Sequence, residues 1–414
     1  MTADASLEAV YRQHWGRLLA LLVGQYRRLD LAEDALSEAF EAATRHWPAG
    51  GVPANPPAWL LTAARRRAVD RLRAEAVAVR KEPLLVVDAE HAAAAARVMV
   101  DGGDVVEDDL LRLVLLCAHP ILAPESASAL SLRLVVGVST RDLARLFLVP
   151  EPTMAARLTR ARKRLAAEGA DFGIPSPADL PDRLAVVGQV AYLAFTAGYA
   201  PGSGPDLLRA DLAGEAVRLA GVVHDLLPDQ PLPTALLALM LLQHSRRDAR
   251  IGADGRLVLL PDQDRTRWRA DEIATALRLL ASLVEADLQS EARSYLLQAL
   301  IAAEHATATR AEDTDWPRIA ALYAELDTHT GSPVVRLNRA VAVAEASGPE
   351  AGLSLLEDLD AALPDGHRLP AVRAELLLRA GRSGEATREF DVAISRCAND
   401  VERAHLERRR ADLG

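Results

Sequence analysis

The segment WLLTAARRRAVDRL, Trp59 to Leu72, decides how this chain is read. Leu61, Ala64, Ala68 and Leu72 recur at spacings of three, four and four, which is one face of an α-helix. Arg65, Arg66, Arg67 and Arg71 occupy the rest, with Arg73 one step beyond. Locally only Asp70 and Glu75 oppose them. Asp70 reaches Arg66 at i,i+4 or Arg73 at i,i+3, and it cannot neutralise five guanidinium groups. The whole chain nevertheless carries a formal net charge of −10 over 414 residues.

The surplus of acid lies elsewhere. Residues 1–170 hold 22 of the 48 Lys+Arg and 21 of the 58 Asp+Glu, leaving 26 basic against 37 acidic residues in the remainder. The two parts therefore face different partners, or each other. Composition is that of an ordinary globular protein, 50% hydrophobic and 26% charged. Ala, Leu and Arg dominate and period-two runs of Val, Ile and Thr are nearly absent, so an all-α fold is expected. Two cysteines, Cys117 and Cys397, imply no disulfide framework. The N-terminus lacks the charge and apolar pattern of a signal peptide, and LLALLV and ALLALMLL fall far short of the ~20 residues that span a bilayer. A cytoplasmic protein with no membrane contact is expected.

Outward from the arginine helix, Leu18, Leu19, Leu22 and Val23 form an apolar helical face. In the following DLAEDALSEAFEAA, Asp30 is placed to cap a helix, with Glu33 three residues later as in a capping box. Asp34, Glu38 and Glu41 line one face, either as a solvated surface or as a docking stripe. HWPAGGVPANPPAW has the prolines and glycines of a loop, and Pro56 and Pro57 suit the start of the arginine helix. Residues 76–107, with Ala92–Ala96 and the turn sequence DGGD at 101–104, read as a linker.

The stretch STRDLARLFLVPEPTMAARLTRARKRL opens with Ser139 or Thr140 as a helix cap, followed by Leu143, Leu146 and Phe147. LVPEP interrupts it. A second helix begins near Pro152 with Met154, Leu158, Ala161 and Leu165 as its apolar face. Such a pair is either a structural hairpin with a basic end or a helix-turn-helix whose second helix reads DNA. GIPSPADLPDR (173–183) is a Pro-rich boundary. Beyond it all reads as helical except 252–268, where RLVLL suggests a short extended segment and DQDRTRW an interhelical salt-bridge network.

A repeat closes the chain. NRAVAVAEASGPEAGLSLLEDL and RAELLLRAGRSGEATREFDVAI align at a shift of 34 residues, matching Ala340 with Ala374, Gly352 with Ala386, Leu356 with Phe390 and Leu359 with Ala393. Small residues where paired helices touch, with a bulky residue four later, are the tetratricopeptide (TPR) pattern. A degenerate unit is expected around 316–331.

Together these segments resemble the bacterial sigma factors of the extracytoplasmic-function (ECF) type, in the subgroup with a long TPR-containing C-terminal extension. AEDALSEAFEAATRHW is similar to their polymerase-binding segment, PPAWLLTAARRRAVDRLR to the segment that reads and opens the −10 element, and STRDLARLFLVPEPTMAARLTRARKRL to the −35-reading helix-turn-helix. LLPDQDRTRW, TDWPRIAALY and SPVVRLNRAVAVAE resemble recurring segments of the extension. The implied organisation is a region 2 domain over 1–75, a linker over 76–107, a region 4 domain over 108–172, a helical extension over 183–310 and TPR-like repeats over 311–414.

The resemblance implies core RNA polymerase and promoter DNA as partners, with a possible protein partner for the TPR-like extension. It assigns Asp30, Glu33, Asp34, Glu38 and Glu41 to polymerase. It assigns Trp47, Trp59, Arg65, Arg66, Arg67, Arg71 and Arg73 to the −10 region, the two indoles as stacking platforms for bases worth about 1–3 kcal/mol each. Trp59, at a helix start, is equally placed to pack into the core. Arg141, Thr153, Ala155, Ala156, Arg157, Arg160 and Lys163 fall to the −35 region. Related factors usually carry polar or basic side chains at 155 and 156, so two alanines make direct base readout thinner. No phosphate loop, dinucleotide fingerprint, zinc-protease motif or nucleophile elbow is present. Cys117 and His119 are two ligands where a zinc site wants four. No enzyme activity, cofactor or metal is expected. The alternatives are a helix-turn-helix regulator with a TPR sensor domain, and a TPR scaffold that does not bind DNA.

Overall fold

The computed structural model describes residues 3–79, 104–147, 149–170, 172–176, 178–199, 210–252, 258–283, 288, 290–363 and 366–413. The alanine run and most of the DGGD turn lie outside them. Among the described residues the fold is all-α, with no strand longer than an isolated bridge. The chain divides into two compact units, Met1–Ala194 and Phe195–Gly414.

In the first unit, α1 (Ala3–Tyr26), α2 (Leu29–Gly50) and α3 (Pro56–Val79) pack on one another. Leu18, Leu19, Leu22 and Val23 of α1 are buried, as are Leu61, Ala64 and Ala68 of α3. Tyr11, Trp15 and Phe40 join α1 to α2, with ring centroids 4.9–5.8 Å apart. α2 differs from expectation at both ends. It starts at Leu29 with Arg28 at the cap position, so Asp30 sits in its first turn and no capping box forms. It continues through Pro48 to Gly50, into the first part of the expected loop. A proline so near a helix end removes one N–H without stopping the chain, and Gly51, at φ +82°, ends the helix by donating to the Trp47 carbonyl. Asn55 then caps α3, its Oδ1 accepting from the Ala58 N–H at 3.1 Å.

α4 (Asp104–Cys117), α5 (Pro124–Ser131) with a π turn at Leu132–Val136, α6 (Thr140–Leu146) and α7 (Glu151–Ala167) follow. Ser139 caps α6 by accepting from the Asp142 N–H at 3.0 Å. Met154, Leu158, Ala161 and Leu165 are the buried face of α7. α8 (Leu180–Tyr199) begins inside the first unit. Arg183 donates to the Leu115 carbonyl at 2.6 Å and Ser128 to the Val190 carbonyl at 2.9 Å, so the Pro-rich stretch is not where the units part.

The second unit is built on α10 (Pro231–His244), nearly every residue of which is buried. A helix apolar all round belongs in a core, and α9 (Ala210–Leu226), α11 (Ala270–Ala281) and α12 (Ser290–Thr307) pack around it. At its end His244 Nδ1 lies 3.1 Å from Glu272, which Arg247 also holds at 2.9 Å. DQDRTRW uses carbonyls and an indole more than carboxylates. Arg265 donates to the carbonyls of His305 and Ala308, and its guanidinium lies 4.6 Å from the Trp268 ring centre. Val258 and Leu259, the described end of RLVLL, are not in a strand.

That corner makes the second unit acid-sensitive. Burial, then the positive charges of Arg246 and Arg265, push His305 from its ordinary 6.5 down to about 4. Between those values the unfolded chain binds a proton that the folded chain refuses. Stability is therefore full above pH 6.5 and falls as pH drops toward 4, by about 3 kcal/mol in total. Urea unfolding at pH 7 and pH 4.5 measures the loss, and His305→Gln should remove most of it.

α13 (Trp316–Thr330), α14 (Pro333–Ser347), α15 (Pro349–Ser354), α16 (Arg368–Arg379), α17 (Ser383–Arg396) and α18 (Asp400–Ala411) complete the chain. All eight residues of the 34-residue repeat are buried. Gly352 shows why small residues recur: a Cβ there would stand 2.7 Å from both the Ala340 carbonyl and the Ala344 methyl.

Candidate polymerase and nucleic-acid interface

The arginine helix and the acidic helix meet. Arg71 of α3 bonds Asp34 and Glu38 of α2, both at 2.5 Å, and Arg67 approaches Glu38 at 3.8 Å. These bonds raise the pKa of Arg71 above its ordinary value. Arg28, at the start of α2, bonds Glu75 at 2.5 Å and Asp30 at 2.9 Å, and the bond to Asp30 lowers that carboxylate's pKa. Part of the acidic stripe and part of the arginine stripe are thus a zipper between neighbouring helices. Arg71, assigned to the −10 region, is engaged by carboxylates of α2 and stays partly exposed. Asp34 and Glu38 correspondingly meet an arginine of their own module.

Glu33 departs furthest. Its side chain is 9% exposed, held by Arg133 Nε at 2.8 Å and Arg162 Nη2 at 2.6 Å. It is not presented at a docking surface in this conformation. Trp47 is 3% exposed and packs edge-on against Trp59 at 5.8 Å. An indole so placed belongs to the core and cannot stack on a base without leaving it. Trp59 is half-buried, with the His46 ring centre 6.5 Å away.

What remains open is narrower. On α3, Arg66, Arg67 and Arg73 are exposed and Arg65 half-buried; Arg73 has Asp70 at 3.8 Å. On α2, Glu41 is exposed. On α7, Thr153, Ala155, Ala156, Arg160 and Lys163 are exposed, Arg157 is half-buried, and Arg141 is exposed on α6. The buried stripe of α7 fixes which face this is, so one solvent-facing row of a helix-turn-helix carries most of the residues assigned to the −35 element.

The described residues include one cluster with metal-type donors: His367, Cys397 and Glu402, whose donor atoms lie within 4.8 Å of one another. Each already has a partner. His367 Nε2 lies 3.0 Å from Glu402, lowering the Glu402 pKa, and Cys397 donates to the Asn399 carbonyl. Burial raises the Cys397 thiol pKa and Arg403 lies on its carbonyl, so the cluster reads as a staple between α16 and α18. Cys117 is fully buried with its thiol pKa raised by that burial, and His119 accepts from the Ile121 N–H.

Residues 10–77 match the family described as Sigma-70 region 2, residues 112–165 match Sigma-70 region 4, and residues 183–284 match a family of unknown function, DUF6596. An uncharacterized protein of Rhizobium meliloti (strain 1021), R00370, is 41% identical over 406 residues, covering 97% of this chain and 94% of its own. Among solved structures, TTC0263, a thermophilic TPR protein of Thermus thermophilus, aligns with 50% of this chain and 90% of its own at 18% identity and a TM-score of 0.34. No helix among the described residues is long and apolar enough to cross a membrane. With both sigma-70 regions in order, a further domain behind them and a relative matched along nearly its whole length, the chain belongs to the sigma factors of the ECF type that carry a C-terminal extension.

Proposed function

We propose that this sigma factor binds core RNA polymerase through α2, opens the −10 element with the exposed arginines of α3, and reads the −35 element with the outer row of α7. Sigma-70 regions 2 and 4 imply polymerase and promoter DNA as partners. The observation that carries the finer assignment is the orientation of α7: its apolar row is locked inward, leaving Thr153, Ala156, Arg160 and Lys163 in solvent. The extension is assigned a supporting or regulatory role, with its TPR-like stack as the surface for a protein partner.

Reconstitution with core polymerase tests the reading. Accurate initiation at a defined start site is expected; DNA binding without initiation at any promoter would make the chain a conventional helix-turn-helix regulator. Two arginines of α3 should separate in the same assay. Arg66→Ala should weaken promoter binding and reduce its salt slope by about one ion. Arg71→Ala removes half-exposed ion pairs worth at most about 1 kcal/mol and should leave the slope unchanged. A chain ending at Ala194, rather than at the Pro-rich stretch, keeps the part of α8 that packs on region 4. Higher promoter binding by that chain would assign the extension to masking; lower binding would make it a required part.

A further inference from the structure

A hydrogen-bonded staple and a cation site are two uses of the same three side chains near the end of the extension. His367 stands at the start of α16, Cys397 follows α17, and Glu402 lies in the first turn of α18. One imidazole nitrogen, one sulfur and one carboxylate oxygen converge within 4.8 Å of one another. The edge from His367 Nε2 to Glu402 is already 3.0 Å. A tetrahedral zinc ion, with bonds of about 2.0–2.3 Å, needs donor–donor edges of about 3.5 Å. The widest gap therefore closes by about 1.3 Å at most, which side-chain torsions alone can supply.

The backbone behind two of the donors is held in place. Asn399, fully buried, accepts from the Val401 and Glu402 N–H groups at 3.0 and 3.1 Å, fixing the turn that carries the carboxylate. Arg403 donates to the Cys397 carbonyl at 3.0 Å, fixing the residue that carries the thiol. Ligands supported from behind keep their aim when a cation enters. Cys397 is 4% exposed, and its thiol donates to the Asn399 carbonyl at 3.4 Å. An S–H group is a weak donor, so little is lost when that proton leaves.

Charge and softness select the cation. Arg250 and Arg368 face Glu402, while Arg403 and Asp400 face Cys397. A cation among these arginines is held only with the thiol ionised, and a coordinating thiol gives up its proton outright. Thiolate and carboxylate then carry two negative charges, which a divalent ion cancels. Sulfur and imidazole disfavour Mg²⁺ and Ca²⁺, which take oxygen ligands.

We propose that His367 Nε2, Cys397 Sγ and a Glu402 carboxylate oxygen form a zinc site that clasps α16, the α17–α18 turn and α18 together. The thiol proton passes to solvent and a water fills the fourth position. The site shares no residue with those assigned to polymerase or promoter DNA, so it stands independently of the sigma reading.

The test uses the full chain, reduced and stripped with a chelator, then titrated with Co²⁺, which takes the same ligands and is coloured. A thiolate-to-cobalt charge-transfer band and the intense visible bands of a four-coordinate ion are expected, both bleached by stoichiometric Zn²⁺. Cys117→Ser should leave the charge-transfer band, because that thiol is fully buried in the first unit, and Cys397→Ser should abolish it. His367→Gln and Glu402→Gln should each weaken Zn²⁺ binding by more than about 10-fold. In the unmutated chain, Zn²⁺ at about 100 times its dissociation constant should slow hydrogen exchange across α16–α18 by about 100-fold. A missing charge-transfer band, or one that survives Cys397→Ser, overturns the site. Exchange in the unmutated chain that Zn²⁺ leaves unchanged overturns it too, and that measurement decides the matter even where a variant fails to match the parent by circular dichroism.

Discussion

Trp15→Ala is expected to destabilise the first unit by about 3–5 kcal/mol, measured as the shift in its urea unfolding transition. The indole is 1% exposed and holds three things together. It packs against Tyr11 and Phe40 within the α1–α2 core. It carries the Arg133 guanidinium on its face, and its ring lies about 3 Å from where a Cβ at Gly137 would stand. The backbone of Gly137 takes φ +85°, a conformation open mainly to glycine, so the turn cannot readily collapse into the space left behind. Truncation therefore leaves a cavity and also removes the platform under one of the two arginines on Glu33. A loss below about 1 kcal/mol would mean that the aromatic cluster is not the organising core of this unit.

Phe390→Ala is expected to cost a similar 3–5 kcal/mol, roughly, confined to the end of the second unit. Phe390 is fully buried among Ala374, Ala393, Cys397 and Leu406. Its helical neighbours are mostly small, so none can move in to fill the void. Because each repeat touches chiefly its neighbours, the damage should stay local. Hydrogen exchange should quicken in α16–α18 while α10, in the apolar centre, keeps its protection. Loss of protection throughout α10 as well would show that the second unit unfolds as one body and not repeat by repeat.

Periodicity made the helices legible, because a buried stripe must recur whatever it packs against. The stripe of α7 and the 34-residue repeat are buried as their spacings require, and so is that of α3 except for Leu72 at its end, which is half-buried. Pro48 was misleading because a proline in the last turn removes one bond and the helix had only two more residues to run. Charge was harder. The carboxylates of α2 and the arginines of α3 were each recognisable as stripes, but nothing in either stripe said that they face each other. Glu33 resembled a capping residue three positions from Asp30; its partner Arg133 is 100 residues away. Glu272, which pairs His244, stands 28 residues from it in another helix. Long-range polar partners leave no local signature, so a stripe of arginines could not show that Arg66 faces solvent while Arg71 is tied to α2.

Gly16 turns the packing of α1 against the π turn into something a genome can be asked about. At most positions a glycine is a statement about its own backbone; here it is a statement about residue 135, whose carbonyl occupies the space a methyl group would need. Any side chain at 16 acts as a wedge between the two modules. Among homologous chains, those with alanine or larger at this point should show a displaced or altered turn at the position equivalent to 135.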